Sequence, residues 1–346
     1  MDFQAKYVPL MKSVEAEVVK FFERERQTNP SKDSIESIEE FSLRGGKRIR
    51  PIAIIVGYEC CRGQNIADAT KVSISLELLH SYFLMHDDVM DEDPVRRGEP
   101  TVHKKYEELF IKKYGAPEKL AKKEGENFAI TDGDSTSALA KKAILISDFP
   151  AETKCAVLEE LVNIELRTAH GQILDETSKL KPADVNGVLK IHEYKTAWYT
   201  LAGPLRIGAI LAGATKDQFD ALTDYGINAG LAFQIRDDMM GVRSPADLHK
   251  AKNDVSEGKT TMPLAFLYDS GTLEQIDIVK SYRGKEMTEE DTQNVISILN
   301  EAGALKKCEE LADDFTVRAK EALRDADLAN KEFLYSLADF ASKRGR

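Results

Sequence analysis

Apolar residues recur at three- and four-residue spacing along almost the whole chain, as in Val72, Leu76, Leu79 and Phe83, whereas runs of strict alternation are hard to find. This periodicity predicts an all-α protein of about a dozen helices. The prolines fall mostly between the periodic segments. Pro51 sits in a first helical turn after GGKRIR, Pro94 and Pro100 flank a loop, and Pro150, Pro182, Pro204, Pro245 and Pro263 mark further joints. No repeat of about 20–50 residues, no Gly/Ser linker and no heptad array interrupts the pattern, which argues against solenoids and coiled coils. One stretch stands apart. Residues 104–127, KKYEELFIKKYGAPEKLAKKEGEN, are dense in Lys and Glu with few apolar anchors. They read as a solvated helical excursion, with a lid or partner-binding segment as the alternative.

With 346 residues, 42% of them hydrophobic, the chain can bury a large core. The formal charge of -11 argues against broad attraction to nucleic acid or anionic membrane. Cys60, Cys61, Cys155 and Cys308 show no CxxC or CxxH pairing, which suits packed thiols in a reducing cytosol. The N-terminus has no basic segment followed by an apolar run and cleavage site. The most apolar stretches, Ile52 to Val56 and Leu201 to Ala214 with Arg206 inside it, fall short of the ~20 residues that cross a bilayer. A soluble cytoplasmic protein without transmembrane segments is expected.

Three groups of residues carry chemistry. HDDVMDED places Asp87, Asp88 and Asp91 at the end of a long apolar helix beginning near Ile66, with Asp87 and Asp91 one turn apart on a single face. Paired carboxylates there repel each other unless a hard cation such as Mg²⁺ joins them and leaves positions for phosphate oxygens. GLAFQIRDDMMGV sets a second pair, Asp237 and Asp238, inside an apolar segment, where charge is costly unless metal-bound or paired, for instance with Arg236 or Arg243. Facing helices could hold a metal cluster between the two pairs. The third group is basic: Lys47, Arg48 and Arg50 in GGKRIRP, Arg96 and Arg97 in RRG, Lys195 in EYKTAW and Lys259 in EGKTT, each read as lying in a turn beside a helix, where N–H groups and guanidinium forks receive phosphate. Acidic pairs and basic turns together fit a diphosphate bridged by magnesium. GxxxxGK[ST], GxGxxG, GxSxG and HExxH are all absent, so nucleotide-fold, α/β-hydrolase and zincin chemistry have no support.

GGKRIRP, LLHSYFLMHDDVMD, RRGEPTVH, YKTA, GLAFQIRDD and EGKTT, in that order over roughly residues 40 to 265, resemble the trans-prenyl diphosphate synthase family. The resemblance implies a single-domain bundle of long helices around a deep central cavity, a homodimer, and about three magnesium ions per site. It implies condensation of isopentenyl diphosphate with dimethylallyl, geranyl or farnesyl diphosphate. Asp87 and Asp91 then look like ligands of two ions supported by Asp88, and Asp237, beside Asp238, the ligand of a third. Lys47, Arg50, His80 and Arg97 match the grip on isopentenyl diphosphate, and Arg96, Lys195 and Lys259 that on the allylic diphosphate. Thr196 and Gln234 match positions that turn oxygen dipoles toward the carbocation.

Two features mark a subgroup. The second acidic motif reads DDMMG, with Gly241 where many members have a third Asp, an archaeal-like trait that points toward geranylgeranyl (C20) synthases. Tyr82 and Phe83, five and four residues before Asp87, lie about one turn deeper and form an aromatic floor of the farnesyl (C15) kind. A short C15 or C20 product is expected. A terpene cyclase would have no second diphosphate to hold, and a non-catalytic regulatory subunit would tolerate lost motifs; both rivals fit the intact GGKRIRP and RRG turns less well.

Overall fold

The computed structural model describes residues 3–243 and 248–342; Pro245 and the Arg243 side chain lie outside the described residues. Helices α1 (Phe3–Thr28), α2 (Lys32–Leu43) and α3 (Ile49–Cys60) lead into α4 (Ile66–Met90), which starts where the Asn65 side chain accepts the Asp68 N–H. The hairpin β1 (Val95–Arg96) and β2 (Glu99–Pro100) follows, then α5 (Val102–Tyr114), α6 (Glu118–Leu145) and α7 (Ala151–Leu180). Next come α8 (Val185–His192), a π-helix over Glu193–Ala202, α9 (Gly203–Ala212) and α10 (Lys216–Arg243). The C-terminal part comprises α11 (Leu248–Glu257), α12 (Met262–Ser270), α13 (Leu273–Ser281), α14 (Glu289–Glu301), α15 (Ala304–Leu323) and α16 (Lys331–Ser342).

The helical period thus predicts the class, while one local exception escapes it. The Pro94–Pro100 loop contains a two-stranded ladder, with Val95 opposite Pro100 and Arg96 opposite Glu99. At the middle of α4, Val72, Leu76, Leu78 and Leu79 are fully buried, so this helix is apolar on every side and forms the spine of the core. It packs against α1, α2, α3 and α6, while α10 packs against α15 and the π-helix. Contact between α3 and α9 is made at backbone distance, since a Cβ on Gly208 would stand 2.2 Å from the Ile54 carbonyl oxygen. Only glycine fits there.

Pro204 does not mark a break between helices. The chain runs from α8 through the π-helix straight into α9, with Pro204 in its first turn. Where i→i+5 bonding gives way to i→i+4, the N–H that proline lacks is dispensable. Residues 104–127 are helical apart from the short connection between α5 and α6, and they are anchored: Tyr106 is buried, donates to Asp132 at 2.8 Å, and lies 5.8 Å from the Phe110 ring. Of the cysteines, Cys60, Cys61 and Cys308 are buried, but Cys155 on α7 is exposed, against the expectation of packing.

Candidate active site

The end of α4 presents its three aspartates to different surroundings. A helix turns about 100° per residue, so Asp87 and Asp91 share a face from which Asp88 is rotated away. Asp88 is 1% exposed and meets Arg96, which the turn after α4 carries back to it on β1 and whose Nε donates to its Oδ1 at 2.6 Å. Burial pushes the Asp88 carboxyl up to about 6, with Arg96 pulling the other way. Arg96 also reaches Asp93 at 3.0 Å and stands 3.9 Å from Asp87. Asp88, expected beside the metal, therefore braces Arg96.

Asp87 and Asp91 face lysines. Lys195 Nζ lies 3.7 Å from Asp87, and Lys179 Nζ lies 3.4 Å from Asp91. Lys195 is not in a turn, as its sequence context suggested, but within the π-helix, beside α7. Gly171 makes that approach possible, because a Cβ there would sit 2.3 Å from the Lys195 nitrogen. The approach brings Lys195 Nζ to 2.6 Å from Asp175 Oδ2, and Lys259 Nζ to 3.2 Å from the same oxygen. Burial would raise the Asp175 carboxyl, but the two lysines outweigh it and hold it below the usual carboxylate range. Lys179 gathers Glu176 at 3.0 Å and Glu257 at 3.7 Å as well. Asp175, Lys179 and Gln172, which lines the neighbouring cavity, were missed from sequence. Asp175 and Lys179 belong to the polar run DETSK near the end of the 30-residue α7, which reads as an ordinary solvated helix face, and neither they nor Gln172 carry the paired-acid spacing of the other two motifs. The available signal was Gly171-Gln172 followed by an acid within one turn.

The second acidic pair also divides. Asp238 is buried, and its oxygens accept from Gln234 Nε2 at 3.0 Å and the Met262 N–H at 2.8 Å, with His192 Nε2 3.1 Å away. It joins α8, α10 and α12 and has little left for a metal. Arg236 donates to Asp313 on α15 at 2.6 Å. Asp237, its predecessor in the motif, is half-buried. A polar cleft of about 130 Å³ is lined by Asp175, Lys195, Thr196, Gln234, Asp254 and Lys259, so residues expected on the allylic diphosphate and the carbocation do converge.

Among the described residues no group of three or more His, Cys, Asp or Glu is arranged to hold a metal ion by itself. Asp87 and Asp91 nevertheless fit one: their carboxylates are about a quarter exposed and meet lysines only at loose ion-pair distances. Oxygen donors of that kind, completed by phosphate oxygens and water, suit magnesium. Asp88 and Asp238 do not fit.

A second, basic pocket of about 160 Å³ is lined by Lys47, Arg50, His80 and Arg97, with Glu77 and Phe233. Its frame is Arg48, left-handed at φ 49°, whose buried guanidinium pairs with Glu77 and donates to the Ser42 carbonyl at 2.9 Å. Arg97, also left-handed at φ 56°, donates to the Gly45 carbonyl at 2.6 Å. Two strained arginines side by side mark a place where geometry is imposed for a purpose. Arg50 lies 4.0 Å over the Tyr199 ring and donates to Thr200 at 3.1 Å. Burial, then Arg50 and Arg97, push the His80 imidazole well below its ordinary value, so it is neutral. Arg50 Nε and His80 Nδ1 are buried without a hydrogen-bond partner, which an incoming anion would supply.

Beside both sites lies a mostly apolar cavity of about 690 Å³, lined by Tyr82, Phe83, His86, Thr168 and Tyr199 and reaching Asp87 and Lys195 at its polar end. Tyr82 and Phe83 stand with ring centroids 4.9 Å apart.

The family model described as Polyprenyl synthetase matches residues 32–299. The chain is 31% identical to a geranylfarnesyl diphosphate synthase of Aeropyrum pernix, over 87% of this chain and 91% of that protein. It is 31% identical to a geranylgeranyl diphosphate synthase of Methanosarcina mazei, over 87% and 86%. A crystal structure of geranylgeranyl pyrophosphate synthase from Corynebacterium glutamicum, complexed with isoprenyl diphosphate and magnesium, superposes with a TM-score of 0.89 at 26% identity, covering 97% of this chain and 98% of that one.

Proposed function

The chain belongs to the polyprenyl synthetase family and is a short-chain prenyl diphosphate synthase; from that premise we propose that it joins isopentenyl diphosphate to an allylic diphosphate and releases a C15 or C20 product. One observation carries the reading: the acidic, lysine-rich mouth shares Lys195 with the apolar cavity, and the separate basic pocket meets that cavity through Arg50, which stacks on the Tyr199 ring lining it. Two diphosphates therefore have two seats. A terpene cyclase would have no use for the second.

In this reading Asp87, Asp91 and Asp237 would hold about three magnesium ions, whose charge would offset that of the departing allylic diphosphate. Lys195, Lys259 and Arg96 donate to the same diphosphate as the C–O bond breaks. Gln234 uses its amide nitrogen on Asp238, so its carbonyl oxygen, with the Thr196 hydroxyl, is the end turned to the allylic cation. The basic pocket holds isopentenyl diphosphate with its double bond toward that cation, and the apolar walls keep out competing water. A carbon–carbon bond forms, and a proton leaves to the released diphosphate, so no side-chain base is required. Tyr82 and Phe83 limit the growing chain, which supports the short product.

The reading treats the chain as one domain, with residues 104–127 as helices anchored to it through Tyr106, working in the cytoplasm. No helix among the described residues is long and apolar enough to cross a membrane. It also takes the enzyme to be a homodimer joined through α6 and α7, where Phe128, Ile130, Leu145, Val162, Leu166 and Ile173 are 40–63% exposed. The test is incubation with labelled isopentenyl diphosphate, each allylic primer in turn, and Mg²⁺ with or without EDTA. Metal-dependent products of C15 or C20 are expected, whereas absence of product from every primer would transfer the reading to a non-catalytic regulatory subunit.

A further inference from the structure

Tyr199 stands where the two substrate regions meet. One face of its ring is covered by the Arg50 guanidinium at 4.0 Å, Phe83 meets it at 5.5 Å in an edge contact, and His80 lies 5.9 Å away. The same ring lines the apolar cavity. It therefore meets two side chains of the basic pocket and one of the aromatic floor. Spacing explains the placement: Lys195 and Tyr199, four residues apart and so on one helix face, both enter the large cavity, while Thr196 lines the polar cleft and Thr200 accepts from Arg50. Apart from that hydroxyl, Arg50 is oriented by the ring, and its buried Nε has no partner. A guanidinium stacked on an aromatic face has its plane fixed, and with it the direction in which its N–H groups point.

We propose that Tyr199 is a positioning residue shared by the two sites: it holds Arg50 flat for isopentenyl diphosphate and backs Phe83 so that the floor keeps its place. Grip on the extending substrate and length of the product are thus set partly by one ring. The inference rests on the reading of the two pockets given above.

Steady-state constants for each substrate and the product lengths are measured for wild type, Tyr199→Phe, Tyr199→Leu and Tyr199→Met, with Phe83→Ala alongside. In the Leu and Met variants the KM for isopentenyl diphosphate is expected to rise roughly three- to thirtyfold while the allylic KM stays within about twofold, and the products lengthen. Tyr199→Phe, which retains the ring, restores the ratio of the two KM values and the product lengths, and Phe83→Ala lengthens the products without a selective rise in the isopentenyl KM. Two substitutions of different shape guard against one that merely fails to fold. An unchanged isopentenyl KM, equal rises in both KM values, or wild-type product lengths in the Leu and Met variants would overturn the proposal. A wild-type enzyme that makes no product from any primer would instead overturn the two-pocket reading beneath it.

Discussion

The basic pocket and the acidic mouth hold their charges in opposite ways. In the pocket, Arg97 donates to backbone carbonyls, Arg50 rests on an aromatic ring and a hydroxyl, and His80 is neutral. Burial and the neighbouring arginines push the Arg97 guanidinium below its ordinary value, the sign of a positive field awaiting an anion. At the mouth, by contrast, Lys195 and Lys259 close on Asp175, Lys179 on Asp91 and Glu176, and Arg96 on Asp88. Among the described residues neither Arg50 nor Arg97 is ion-paired, so an anion can reach both without parting a salt bridge. At the mouth it must part existing ion pairs, or arrive with a cation that takes over the carboxylates. Metal dependence should therefore belong to one seat and not to the other.

The largest effect that would break this contrast is at the mouth. Asp87→Ala removes a proposed magnesium ligand, a role that would be worth several kcal/mol of transition-state stabilisation, so turnover should fall by about three orders of magnitude while the melting temperature barely moves. Activity close to wild type in that variant would sink the metal assignment. Asp175→Asn strands two buried-side ammonium groups, and a stability loss of about 3 kcal/mol by denaturant titration is expected, together with weaker allylic binding. Unchanged stability would mean that the lysines are not held by this carboxylate.

Smaller effects sharpen the pocket's side. Arg50→Ala removes a charge-assisted donor, so the KM for isopentenyl diphosphate should rise roughly tenfold to a hundredfold with the allylic KM little altered; a rise in the allylic constant alone would exchange the two seats. The smallest effect is on pH dependence. His80 titrates lower in the folded protein than unfolded, so the unfolded chain takes up its proton first as pH falls below ~6.5. Wild type should then lose stability with falling pH, by at most about 1.4 kcal/mol per unit from this group, and His80→Gln should lose less. Parallel curves for the two proteins would show that His80 is not held neutral.

The sequence was informative wherever a residue's role depends on spacing. The run of α4 from Ile66 and the shared face of Asp87 and Asp91 follow from periodicity, and the gathering of Lys47, Arg50, His80 and Arg97 is what the family resemblance of the motifs implies. Roles that depend on contacts between distant segments were hidden. Asp88 meets Arg96 only because the turn after α4, closed by the Asp93 N–H on the Asp88 carbonyl, reverses the chain between them, and Asp238 is satisfied by groups of α8 and α12 as well as of its own helix. Lys195 was placed in a turn because π-helical bonding leaves no mark in apolar spacing. Asp175 lay unnoticed because its meaning comes from two lysines, 20 and 84 residues further along the chain.

The difference between the seats is tested most directly by calorimetric titration of the enzyme with isopentenyl diphosphate, and separately with an allylic diphosphate analogue that cannot ionise, each in Mg²⁺ and in EDTA. The account predicts that isopentenyl diphosphate binds about equally well in both buffers and that the allylic analogue binds only with magnesium. Loss of isopentenyl diphosphate binding in EDTA, or metal-independent binding of the allylic analogue, would contradict it.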